Sequence, residues 1–84
     1  MNSLQANWRP SQVRALRILA KLSQGDLGDL IGVSRVRIAQ LENNLTKPTR
    51  VLCKSLDMVR ELQKISQKAI DKEIETNFYL TRKD

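Results

Sequence analysis

Drawn as a helix at about 100° per residue, the stretch from Arg35 to Asn43 sorts its side chains by chemistry. Arg35, Val36, Ala39, Gln40 and Asn43 share one side, Ile38 and Leu41 take the other, and Arg37 stands at the boundary. The first set suits the edges of base pairs. A guanidinium matches the two acceptors of guanine, a carboxamide matches the donor and acceptor of adenine, and a valine can touch the thymine methyl. Ala39, at the centre, is small enough to let the backbone come close. The expectation is that Arg35, Val36, Ala39 and Gln40 read bases in the major groove. A merely solvated helix could carry the same residues, so the reading depends on what holds this helix in place.

Other chemistry is scarce. The chain has no histidine and one cysteine, Cys53, which argues against a zinc site or a histidine-based catalyst. We therefore expect no enzyme, no cofactor and no metal. A lone cysteine cannot close an internal disulfide and fits a reducing, cytoplasmic setting. No stretch approaches the roughly 20 apolar residues of a membrane span, and Met1 to Pro10 lacks the apolar run of a signal peptide. The charge is unevenly placed. Residues 1–54 hold nine Lys/Arg against three acids, whereas residues 55–84 hold six of each, so the whole excess of +6 lies in the first part. Such an excess favours a polyanionic partner, nucleic acid before an anionic membrane.

The elements that must position the reader are legible in the turn residues. Ser23-Gln24-Gly25-Asp26 has the form of a capping box, and the helix it opens carries Leu27, Leu30 and Ile31 before stopping at Gly32. Ser34 can cap the next helix, which Asn43-Asn44 ends. Counting Gln24 as first, glycines occupy the fifth and ninth places (Gly28, Gly32), and apolar residues the fourth, eighth, tenth, fifteenth and eighteenth (Leu27, Ile31, Val33, Ile38, Leu41). A small residue where two helices cross, a glycine in the turn and five apolar locks define the geometry of a helix-turn-helix.

The segment LSQGDLGDLIGVSRVRIAQLENN resembles the Cro and repressor type of helix-turn-helix, the XRE family, with the likeness extending over residues 12–60. Leu27-Gly28 and Val33-Ser34 with Arg37-Ile38-Ala39 look like the HipB-type members, antitoxins that repress their own operons. Gly28 stands where the family usually has alanine, Asn44 where many members have glycine, and Leu45 where HipB-like members often have proline. The resemblance implies that Gln24 contacts the DNA backbone, and that an arginine of the first helix, Arg17, pairs with Glu42. Left free, Glu42 would repel phosphate. Arg37, Asn43, Lys47 and Arg50 are further phosphate candidates by position and donor type.

Elsewhere the pattern is also helical. Val13, Leu16, Leu19 and Ala20 make a stripe, for which Ser11 is an expected N-cap, after a polar arm at residues 1–10 that includes Trp8. From Thr49, Leu52, Leu56, Val59, Leu62, Ile65, Ala69 and Ile74 recur at three to five, with Asp57/Arg60 and Glu61/Lys64 as expected ion pairs. Whether residues 49–84 form one helix or two stays open, and Asn77 to Thr81 have strand-like composition. The fold expected is all-α: one domain over residues 1–84, a compact bundle of about five helices of the lambda-repressor type. Its reader would be residues 24–43, and residues 49–84 would serve dimerisation or partner binding. Ile65, Ile74, Phe78, Tyr79 and Leu80 are the candidates for that surface. The partners expected are a double-stranded operator and a second copy of the chain, with a HipA-type kinase as the toxin if the chain is an antitoxin. The alternative is a stand-alone phage-type regulator.

Overall fold

In a computed structural model, described here for residues 8–81 with side chains to residue 76, the chain forms five helices. They are α1 (Pro10–Leu19), α2 (Gln24–Ile31), α3 (Arg35–Glu42), α4 (Arg50–Leu62) and α5 (Gln67–Thr81). None is long and apolar enough to cross a membrane.

Each start has a local cause. Arg9, not Ser11, is the N-cap of α1: Pro10 takes the first helical position, where its missing N–H costs nothing. Gln12 Oε1 accepts from the Arg9 amide at 2.9 Å. Hydroxyls cap the next three helices, Ser23 Oγ accepting from the Asp26 amide (3.0 Å), Ser34 Oγ from the Arg37 amide (3.1 Å) and Thr49 Oγ1 from the Leu52 amide (3.1 Å). Asp26 Oδ2 accepts in return from the Ser23 amide at 3.1 Å, completing the capping box.

Over residues 49–81 the chain forms two helices, not one. α4 ends at Leu62, Lys64 turns left-handed at φ 56°, and Ser66 Oγ then accepts from the Ala69 amide at 3.0 Å to start α5. Because Lys64 lies outside the helix, the expected Glu61–Lys64 pair does not form; Asp57–Arg60, within α4, does, at 3.7 Å. Residues 77–81 continue α5, correcting the strand-like reading of that stretch. Their side chains, including those of Phe78, Tyr79 and Leu80, lie outside the described residues.

The core joins all five helices: Val13, Ala15 and Leu16 of α1, Leu27 of α2, Ile38 and Leu41 of α3, Leu52, Cys53, Leu56 and Val59 of α4, and Ile70 of α5. Ile70 is fully buried where α5 packs on α1, although the periodic pattern passes it over. Ile65 and Ile74 are half-buried against the same core, whereas Leu30 and Leu62 point outward. Trp8, read from sequence as part of a polar arm, is buried: its Nε1 donates to Asp57 Oδ1 at 3.1 Å. Arg60 lies beyond Asp57 and donates to Gln67 Oε1 at 3.4 Å. This polar chain ties the segment before α1 to α4 and α5.

Candidate nucleic-acid interface

The turn between α2 and α3 is closed by two glycines in different ways. Gly32 is left-handed at φ 82°, and both its amide and that of Val33 donate to the Gly28 carbonyl, at 2.8 and 2.9 Å. Gly28 permits the approach itself. A Cβ there would stand 2.5 Å from the Val33 carbonyl oxygen, so the turn has moved into the space that a methyl group would occupy. α3 is thereby fixed across α2, and Leu27, Ile38 and Leu41 fill the angle between them.

Arg17, in the last turn of α1, fixes the far end of α3. Its Nε donates to Glu42 Oε2 at 2.6 Å and its Nη2 to Glu42 Oε1 at 3.1 Å, while Nη1 reaches the Leu22 carbonyl at 3.2 Å. The planar guanidinium suits this two-point contact. Gln24 Nε2 adds a third hydrogen bond to Glu42, at 3.2 Å. The carboxylate is thus neutralised and largely buried, and α1, α2 and α3 meet on it.

What remains outward on α3 is the row read from sequence. Arg35, Val36 and Asn43 are exposed, and Ala39 and Gln40 are half-buried beside them. The stem of Arg35 lies over Gly25, where a Cβ would come within 3.9 Å of Arg35 Cδ; this sets the arginine beside the start of α2. Gln24 sits at that start, with one amide hydrogen given to Glu42 and a second to offer a phosphate. Lys47 and Arg50 are exposed in and just after the loop that leaves α3. Arg37 is half-buried, and its Nε has no hydrogen-bond partner among the described residues. The same holds for Thr46 Oγ1, a hydroxyl next to Lys47 that the sequence reading passed over; a threonine inside a basic loop was the available signal. Asn44 is left-handed at φ 59°, and the Leu45 amide closes the end of α3 on the Gln40 carbonyl at 2.8 Å.

A helix held at both ends, with its apolar side sunk in the core and its polar side bare, is the form that enters a groove of DNA. The family model for the XRE-type helix-turn-helix matches residues 13–59. The chain belongs to that family. As a helix-turn-helix protein it is a DNA-binding transcription regulator. The match begins inside α1 and ends inside α4, so the Arg17–Glu42 contact falls within it and α5 beyond it. Neither the search of curated proteins nor that of solved structures yields a match.

Proposed function

We propose that this XRE-type helix-turn-helix protein is a sequence-specific repressor that binds a palindromic operator as a dimer. The observation that supports this reading is the row Arg35, Val36, Ala39 and Gln40 on a helix whose position is set by Gly28 at one end and Arg17–Glu42 at the other. Base-reading groups on a rigid support give specificity, because their geometry does not relax to suit the wrong base. In this reading Gln24, Arg37, Asn43, Lys47 and Arg50 hold the phosphates on either side. Selection from random duplexes tests it. The expected product is a two-fold site with half-site centres about 34–36 Å apart; recovery of duplexes without any shared sequence would reject specific reading.

A second reading, an antitoxin that also represses its own operon, draws on the HipB-like residues Leu27-Gly28 and Val33-Ser34. The toxin surface would then run from Ile65, just before α5, along α5 through Ile74 to Phe78, Tyr79 and Leu80. Co-expression with a HipA-type kinase, the toxin class this reading requires, decides between the two: a stable complex favours the antitoxin, and none favours the stand-alone regulator.

A further inference from the structure

α4 has two apolar faces, and only one is used by the fold. Leu52, Leu56 and Val59 are buried, yet Val51, Met58 and Leu62 stand 71%, 60% and 74% exposed. With the half-buried Ser55 between them, these three make a row at intervals of four, three and four, the spacing of a seam between paired helices. Leu30 at the end of α2, 58% exposed, widens the row. Between the two helices lies a groove of about 140 Å³, lined by Leu30, Ile31, Ser55, Met58, Val59 and Leu62. Lys54 and Glu61 border the outer edge of the row, one near each end. Both are exposed, and neither makes an ion pair or side-chain hydrogen bond among the described residues.

We propose that a second copy of this chain packs on this face, α4 against α4, antiparallel about a two-fold axis. The residue pattern is self-complementary in that arrangement. A two-fold contact sets residue i against j and j against i, so Val51 meets Leu62, and Ser55 meets Met58, on both sides of the axis. The small Ser55 opens the groove, and Met58 of the second copy, a flexible side chain suited to irregular gaps, fills it. Lys54 of each copy then lies toward Glu61 of the other. A parallel two-fold pairing would put the charged edges of the two copies on opposite flanks, where Lys54 and Glu61 meet no opposite charge, so only the antiparallel form pairs them. One pair of thirteen-residue helices reaches only the low end of stable interfaces, about 1,200 Å² in total. Association is therefore weak and rises with concentration, and two adjacent half-sites strengthen it by raising the effective concentration. The surface rests on the dimeric-operator reading for its use, not for its formation.

Sedimentation of the full chain and of four variants over a wide concentration range tests the surface: Met58→Glu, Lys54→Glu, Glu61→Lys, and Lys54→Glu with Glu61→Lys together. All the changed side chains are exposed, and circular dichroism verifies that each variant stays helical. The expected result is self-association of the wild type, weakened about tenfold or more by Met58→Glu and by either single reversal. The paired reversal restores it to within a few-fold of wild type, since opposite charges face one another again. Self-association unchanged by Met58→Glu, or not recovered by the paired reversal, overturns the proposal, as does a wild type that stays monomeric both free and on DNA. Affinity for a single half-site is measured in parallel and stays the same in Met58→Glu. If even the wild type fails to bind a half-site, the operator reading fails while the sedimentation result still judges the surface.

Discussion

The carboxylate of Glu42 takes two hydrogen bonds from the guanidinium of Arg17, 25 residues earlier, at 2.6 and 3.1 Å. The pair joins the last turn of α1 to the last turn of α3, and its side chains are only 18% and 6% exposed. An acid on the helix proposed to approach DNA is tolerable because its charge is spent inside the protein.

Arg17→Ala leaves that carboxylate buried with Gln24 as its remaining side-chain donor. The expected loss is about 2–3 kcal/mol, below the range for a fully buried pair because Arg17 keeps some solvent. Adding Glu42→Ala removes the stranded charge, so the double variant is more stable than the sum of the single losses by about 1–3 kcal/mol. Urea unfolding of the four proteins measures the cycle; simple additivity would show the contact to be energetically idle.

The two glycines of α2 give opposite expectations. Gly28→Ala drives a methyl group against the Val33 carbonyl oxygen and costs about 1–3 kcal/mol as the turn opens. A Cβ at Gly25 meets nothing closer than Ser23 Oγ at 3.8 Å, so Gly25→Ala is neutral or stabilising by up to about 1 kcal/mol. Thermal midpoints that move in parallel for the two variants would contradict the close approach at Gly28.

On the proposed reading face, Arg35→Ala and Gln40→Ala are each expected to weaken operator binding by about 1–3 kcal/mol and to relax the preference at one base pair per half-site. Repeating the duplex selection with each variant checks this. A variant that recovers the wild-type site unaltered carries no reading residue at that position.

Affinity for DNA is expected to fall steeply with salt, because phosphates held by Lys and Arg would release their counterions. Lys47→Ala weakens binding to all sequences alike and makes the slope of log K against log salt shallower by about one unit. A slope equal to that of the wild type would remove Lys47 from the phosphate set.

The part of the fold that could be read in advance is the part with strong local chemistry. Ser23, Gly28, Gly32 and Ser34 each impose a constraint that few other residues meet, so α2, the turn and α3 follow from spacing alone. The break after α4 has no such mark. Lys64 takes a left-handed conformation usually left to glycine or asparagine, and Ser66 is one serine among several. Ile70 escaped because the neighbouring Ala69 fits the periodic pattern nearly as well, and only packing on α1 decides between them. Trp8 misled for another reason: it sits among polar residues, and its burial is set by Asp57, far along the chain. On α4 the stripe Leu52, Leu56 and Val59 is indeed the buried one, but the periodicity also took in Leu62, which stands outward with Val51 and Met58.

The Trp8–Asp57 hydrogen bond spans 49 positions, whereas the contacts that build α2, the turn and α3 are nearly all local. Local contacts close quickly and distant ones late, since a long loop must be ordered before any contact repays it. Trp8 is the only tryptophan in the chain, so its fluorescence reports one site, where the segment before α1 meets α4, rather than an average. The expected outcome in stopped-flow experiments is that Trp8→Ala speeds unfolding far more than it slows folding; an equal effect on the two rates would place this contact in the folding nucleus. The residue that latches the chain before α1 onto α4 thus also gives that docking a single optical reporter.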